Sequence, residues 1–393
     1  MVAKDSCAKR HYFDWAASSP FDHSIINQTG NLAVFGNPSS QHSEGRAAKL
    51  ALQDARTRCA KVLNVPPETL FFTSGGTESN SIALFSNLVK KGNGRIISSS
   101  AEHSSVREGM ETLEKMGKPT GRIAVDSEGR VTSGIFEKTL AKYGEVRFAS
   151  CMAVNNETGA VTDIASITDV IRKYSGPPVH LHCDLVQAVG KIPVDIPGWE
   201  ISSASISAHK IGGPRGIGLL YLRRPSAGND IFYTGGGQEN GVRGGTENTH
   251  GALCLASCLE KYAGIETVNA EYARAKERWK KLITSLSAFE RCTLIPHQRA
   301  APEAQDGFSP YILQAAFKNI PGEVMARALD DLGFAVSTGS ACSSSSPERP
   351  VLLAMGVDEK LRIEGIRISQ GYSTTDEEIG LLVGAIAEVL KFL

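Results

Sequence analysis

Between residues 70 and 222, short apolar runs alternate with stretches of helical periodicity. That alternation limits the fold more than any other feature of this 393-residue chain. The runs are Leu70–Thr73, Arg95–Ser99, Val146–Val154, Val179–Asp184, Ile201–Ala208 and Ile217–Leu222. Helical patterns fall between them, from Glu78, over Ser104–Met116 and over Ile164–Tyr174. Strands separated by helices predict a mainly parallel sheet wrapped by helices, an α/β fold. Upstream, Ala47, Leu50, Ala51, Ala55 and Val62 mark a helix over Glu44–Leu63, which Pro66 and Pro67 end. Two long helical stretches, Asn248–Tyr262 and Val268–Leu286, lead into a smaller α+β region. Its expected elements are Ile312–Phe317, Gly322–Leu332, Phe334–Thr338, Ile366–Ser369 and Thr375–Phe392. The length suits two domains.

Composition excludes several classes of function. Lys plus Arg and Asp plus Glu both number 42, so no net field recruits nucleic acid or an anionic membrane. No stretch approaches the ~18 uninterrupted apolar residues of a membrane span. Met1–Arg10 mixes charges with no apolar run behind it, unlike a secretory signal. The eight cysteines, at 7, 59, 151, 183, 254, 258, 292 and 342, have no paired spacing, which suits a reducing cytosol. A cytoplasmic protein with neither membrane nor nucleic-acid partners is expected.

Chemistry-bearing residues sit at the exits of the predicted strands. Lys210 follows Ile201–Ala208 in Ser207-Ala208-His209-Lys210, and Asp184 ends Val179–Asp184. Taken singly they also suit a surface lysine and a helix-capping aspartate. Together, an amine that can form a Schiff base and a carboxylate that can hold a pyridinium nitrogen are what pyridoxal phosphate requires. Thr73-Ser74-Gly75-Gly76-Thr77-Glu78-Ser79 joins a strand to a helix, where small residues and free N–H groups make Gly76 and Thr77 candidate phosphate ligands. The other reading is a capped helix without ligand. No Gly-Lys-Ser/Thr follows, so nucleotide phosphate fits poorly. Thr246, on a glycine-rich loop, offers a further hydroxyl to the same phosphate, across a subunit boundary. His103 shares this edge and suits ring stacking and proton transfer, or simple helix capping. His180 and His182 alternate on one strand face. Metal binding needs three or four convergent ligands, and none arrive at that spacing, so no metal is expected. Cys342 lies among Gly339 and serines, a setting that favours exposure, while the other seven cysteines read as structural. Arg367, at a late strand, suits bidentate capture of a carboxylate, or a surface ion pair.

In order and spacing these pieces resemble the cysteine desulfurases, the NifS/IscS-like branch of the class V aminotransferases. The likeness runs nearly end to end. It takes in Tyr12-Phe13-Asp14 through Pro20, Gly36-Asn37-Pro38, Thr73–Ser79, Glu102-His103 and Val154-Asn155-Asn156-Glu157-Thr158-Gly159. It continues through Asp184–Lys191, Ser207–Lys210, the loop to Thr246, Ser340-Ala341-Cys342 and Ile366–Ser369. The resemblance implies a fold-type I pyridoxal-phosphate enzyme with a seven-stranded, mainly parallel sheet, acting as a homodimer. It implies a large domain over 16–258 and a small one from 1–15 and 259–393. Lys210 is then the lysine that bonds the cofactor, Asp184 the partner of its ring nitrogen, Gln187 of its ring hydroxyl, and His103 stacks on it. Gly76, Thr77, Ser207 and His209 hold the phosphate with Thr246 of a second copy. Asn155 and Arg367 bind substrate near Asn37, with Asn155 also beside the cofactor. Cys342 accepts sulfur. The implied activity converts L-cysteine to L-alanine and leaves a persulfide on Cys342, for an iron–sulfur scaffold or another sulfur-acceptor protein. Its competitors are a selenocysteine lyase or other class V lyase, and a non-catalytic sulfur carrier. Three departures stand out. Gly212 replaces a bulkier, often aromatic residue and implies a looser wall beside Lys210. The Cys342–Gly356 stretch is about one residue shorter than in housekeeping relatives. The chain ends at Leu393 without their tail.

Overall fold

The computed structural model describes residues 10–30, 34–90, 92, 94–225, 231–233, 235–339 and 349–393. Its strands in chain order begin with β1 (His11–Tyr12), β2 (Leu70–Thr73), β3 (Arg95–Ser99) and β4 (Thr120–Ile123). Next come β5 (Val146–Met152), β6 (His180–Asp184), β7 (Ser203–Ser207) and β8 (Gly218–Leu222). The last four are β9 (Cys292–Ile295), β10 (Ile312–Phe317), β11 (Phe334–Ala335) and β12 (Gly365–Ser369).

Seven strands form one sheet in the order β2-β8-β7-β6-β5-β3-β4. Only β8 runs against its neighbours β2 and β7. The strands are apolar on both faces because both faces are covered: β2, β7 and β8 are buried at every position. Helices Ser43–Leu63 and Thr249–Tyr262 pack together on this core, and Ala55, Cys59, Leu255 and Leu259 are fully buried there. Leu255 and Leu259 each contribute ~1.5–3 kcal/mol on leaving water.

A second sheet, β12-β10-β9, is antiparallel and has its own core. Trp279, Phe317, Met325 and Ile386 build it, and Phe13 reaches it from the start of the chain. Residues 11–12 pair in parallel with β11. The closing helix, Asp376–Phe392, starts from a capping box in which Thr375 and Glu378 exchange side-chain and backbone bonds.

The sequence pattern misses β4 and the helix Ser133–Tyr143 behind it. β4 is an edge strand reading Thr-Gly-Arg-Ile, buried only at alternate positions, so it lacks the apolar run of its neighbours. The expected strand Phe334–Thr338 pairs as a strand only over Phe334–Ala335. The helix expected from Glu78 begins at Gly76, which puts Gly76 and Thr77 in its first turn. The wall beside Lys210 is not loose. Gly212 adopts φ +82°, and a Cβ there would lie 3.2 Å from both Tyr262 and the Tyr372 hydroxyl. Those two rings stack at 4.2 Å and fill the space.

Candidate active site

Because β8 alone is reversed, β2, β7, β6, β5 and β3 end at one edge of the sheet, where open α/β sheets bind ligands. Gly76 and Thr77 follow β2, His103 follows β3, and Asp184 closes β6 with Gln187 behind it. Ser207 closes β7, with His209 and Lys210 next. Arg367 comes from β12 of the other sheet. All nine line one cavity of about 230 Å³.

One end of this cavity is built for an anion. The helix Gly76–Phe85 has Gly75 at its N-cap with φ +149° and no side-chain cap. A Cβ on Gly76 would sit 2.7 Å from Val186 Cγ2, so glycine is needed for this approach. The open first turn offers N–H groups and the positive end of the helix dipole. Burial, helped by Lys210, pulls His209 down to about 3, so its ring is neutral. Its Nδ1 lies 3.2 Å from the Ser18 hydroxyl, which accepts from Arg215 Nη2 at 2.6 Å. Ser18 is thus free to donate to Nδ1, leaving the ring proton on Nε2.

The floor is a closed hydrogen-bond system. Asp184 is 2 % exposed, and its two oxygens accept from Val186 N and Asn80 Nδ2, both at 2.9 Å. His103 lies beside it; its Nδ1 accepts from Ser105 N at 3.2 Å and meets the Ser105 hydroxyl at 2.9 Å. The capping and cavity readings of His103 therefore both hold. Burial lowers its pKa, and Asp184 opposes that shift. Gln187 Nε2 donates to Ala16 O at 2.9 Å, while Lys191 Nζ donates to Gln187 Oε1. Lys191 fixes which end of that amide is the donor. Burial, with Lys210 and Arg367 nearby, holds its amine well below the ordinary lysine range.

Lys210 Nζ donates to the carbonyls of Ala16 and Ala17 at 2.6 and 2.8 Å. On the wall formed by β12, Arg367 donates to Asn156 O at 2.9 Å and to Asp14 Oδ1 at 2.8 Å. Its Nε and the Asn156 Oδ1 are buried without partners among the described residues. Such atoms cost ~1–3 kcal/mol each and mark a wall shaped for a polar ligand group.

Three expected residues are not brought to this cavity. Asn155 does not line it; Asn156 does. The Asn155 amide is used up locally: Nδ2 donates to Ala101 O, and Oδ1 accepts from Glu157 N and Thr158 N. Asn37 and Thr246 are exposed and lie outside the cavity of their own chain. Cys342 lies outside the described residues. The residues flanking that stretch meet near the cavity wall: a Cβ on Gly339 would be 2.8 Å from Arg349 Nη2 and 3.3 Å from Glu157 Oε2. Sequence reasoning left Asn80, Asn156 and Lys191 without roles. Asn156 had a visible signal, the Asn155-Asn156 doublet. Asn80 and Lys191 had none beyond lying in the motifs.

A mainly parallel sheet with lysine, aspartate and an open helix N-terminus at its carboxyl edge defines a class of cofactor-dependent transferases. The chain belongs to the aminotransferase class-V family, whose model matches residues 11–382. Among curated relatives, cysteine desulfurase IscS of Dictyoglomus turgidum is 34% identical over 388 residues, covering 97% of this chain and 95% of that protein. A solved NifS-like protein superposes with TM-score 0.87 at 32% identity, covering 98% of this chain and 100% of that one. A structure of SspA in complex with cysteine aligns with TM-score 0.75 at 28% identity, covering 91% of this chain and 98% of that one.

Proposed function

We propose that this chain is a pyridoxal-phosphate-dependent cysteine desulfurase. The carrying observation is the convergence of Lys210, Asp184, His103 and an open helix N-terminus on one cavity faced by Arg367. The residues fit the cofactor. Lys210 would bond it, Asp184 hold its ring nitrogen, Gln187 its hydroxyl, and His103 its face. Gly76, Thr77, Ser207 and His209 would hold its phosphate. Bound there, the group supplies an electron sink for the substrate's α-carbon. The chain's own residues do the rest. Lys210 Nζ moves the α-proton, Arg367 takes the substrate carboxylate, and Asn156 Oδ1 faces a donor group. Cys342 Sγ takes the sulfur. The substrate C–S bond breaks, an S–S bond forms, and the β-carbon gains a proton, so L-cysteine and the Cys342 thiol become L-alanine and a Cys342 persulfide.

Cysteine chemistry supports Cys342. The six cysteines among the described residues are unpaired, and burial raises every one of their thiols, Cys59, Cys258 and Cys292 to about 12. Thiolate is what attacks sulfur. Unpaired thiols also fit a cytoplasmic setting, and no described helix is long and apolar enough to cross a membrane. A homodimer accounts for exposed Asn37 and Thr246, and Phe35 beside the former is 83% exposed. The two separate cores support division into a large domain over 16–258 and a small one from the remainder. A sulfur-acceptor protein is the expected partner.

The test is to reduce the protein with borohydride after loading with pyridoxal phosphate, and to assay sulfide and alanine from L-cysteine. Cofactor fixed to the Lys210 peptide with stoichiometric alanine is expected. Selenide release without sulfide would move the reading to a selenocysteine lyase. A protein that takes up no cofactor would end it.

A further inference from the structure

Beneath the cavity floor lies a buried polar cluster that the proposed chemistry leaves unexplained. Its centre is Asn80, 1 % exposed, on the helix that opens with Gly76. Its Nδ2 lies 2.9 Å from both Asp184 Oδ2 and Ser105 Oγ. Its Oδ1 lies 2.6 Å from Ser205 Oγ and 2.9 Å from His182 Nε2. Behind it, His182 Nδ1 is 2.8 Å from Ser203 Oγ, which is 2.7 Å from His180 Nε2.

The direction of every bond follows from the carboxylate outward. A carboxylate only accepts, so the Asn80 nitrogen faces Asp184 and its oxygen faces His182. His182 Nε2 therefore carries a proton. Burial holds His182 down at about 3, so the ring is neutral and Nδ1 must accept. The single Ser203 proton goes to that nitrogen, and Ser203 accepts from His180. On the other branch, Asn80 donates to Ser105, and the Ser105 proton goes to His103 Nδ1. His103 is then left with its proton on Nε2. Phe148 stacks on His180 and His182 at 5.4 and 6.2 Å, holding both ring planes.

We propose that Asn80 is a positioning residue that ties Asp184 to the buried histidines, donating to the Asp184 carboxylate while its oxygen sets the tautomer of His182. Flipping its amide would turn an oxygen onto the Asp184 carboxylate and an NH₂ onto two donors. The bonds to Asp184 and His182 would be lost, and the Ser105 and Ser205 hydroxyls would have to turn. One amide thereby keeps both Asp184 oxygens served and holds His182 in one tautomer, while the Ser105 backbone N–H by itself keeps the His103 proton on Nε2. The assignment of roles to Asp184 and His103 rests on the functional reading above; the bond directions do not.

The test uses full-length protein labelled with ¹⁵N-histidine, with and without bound pyridoxal phosphate. Long-range ¹H–¹⁵N spectra report ring tautomers directly. Wild type should show His103 and His182 as Nε2–H forms in both states. Asn80→Leu should give His182 a mixture of tautomers and leave His103 as the Nε2–H form. Its kcat should fall about 10- to 100-fold, the range seen when groups behind a site are removed, with KM little changed. If that variant does not fold, Ser203→Ala removes one hydroxyl and should release His182 Nδ1, giving His182 mixed tautomers. An Nδ1–H form of either histidine in wild type overturns the proposal. So does a folded Asn80→Leu with His182 unchanged and wild-type kcat. Failure to bind the cofactor would sink the functional reading while leaving the tautomer result standing.

Discussion

The floor of the cavity and its β12 wall are built on opposite principles. On the floor, Asp184, His103 and Asn80 are committed to hydrogen bonds with one another, Ser105, Val186 and Ser205 at 2.6–3.2 Å. On the wall, Arg367 Nε and Asn156 Oδ1 are buried with no partner among the described residues, and Asp14 takes one edge of the guanidinium. A satisfied network is rigid and costs no reorganisation when charge develops beside it. An unsatisfied wall gains most when a ligand arrives. The contrast suits a cofactor that stays and a substrate that comes and goes, with its carboxylate on Arg367 and a donor group facing Asn156 Oδ1.

Lys210 stands between the two regions, so its loss should give the largest effect. Lys210→Ala removes both the bonding amine and the group that moves the α-proton. Alanine production should fall by at least about 10³-fold. Cofactor should still be taken up through the helix N-terminus and Asp184, as equilibrium dialysis would show. Substantial turnover by this variant would place the chemistry elsewhere.

Cys342→Ser comes next, and it leaves both regions intact. Desulfuration should drop by about 10²-fold or more, because a hydroxyl cannot hold a persulfide. Alkylation after brief exposure to L-cysteine should trap the persulfide on the Cys342 peptide of wild type. Finding it mainly on Cys151 or Cys183 would defeat the assignment, and their burial makes that outcome unexpected.

Arg367→Lys attacks the wall alone. An ammonium cannot reproduce two parallel N–H bonds, so KM for cysteine should rise about 10- to 100-fold with kcat less affected. His103 and His182 should keep their tautomers, because nothing on the floor touches Arg367. An unchanged KM would relocate the carboxylate site.

The same contrast explains what was legible in the sequence. Strand exits that carry Asp184, Ser207 and Lys210 were readable because fully buried parallel strands leave continuous apolar runs. The cup was readable because Gly75 and Gly76 stand where a Cβ or a negative φ will not fit. Arg367 and His103 were readable by residue type at an exit. Asn155 and Asn156 were not separable, since adjacent residues of a turn differ only in which amide the turn consumes. Asn80 and Lys191 act through other side chains, and such roles are set by contacts between distant segments. The strands β4 and β9 were hidden because edge strands need no apolar run.

Glu102 is the floor's one exception, and its variant should have the smallest effect on activity. Its carboxyl is fully buried, and burial, with the Asp184 charge nearby, raises its pKa from 4.5 to about 8 against the opposing pull of the Met152 backbone and the Ser150 hydroxyl. At neutral pH the folded protein thus holds a proton that the unfolded chain has released. Stability contributed by this group is complete below pH 4.5 and is lost as pH rises to about 8. The slope is at most about 1.4 kcal/mol per pH unit. Glu102→Gln keeps the shape of the neutral acid and cannot ionise. Relative to wild type, its melting temperature should therefore climb steadily from pH 5 to about 8 and then level off, while kcat at pH 7 changes less than about 3-fold. A difference that stays flat across this range would mean that Glu102 is charged in the folded protein. The floor would then contain a second anion beside Asp184, and its closed hydrogen-bond order would need another cation to hold it.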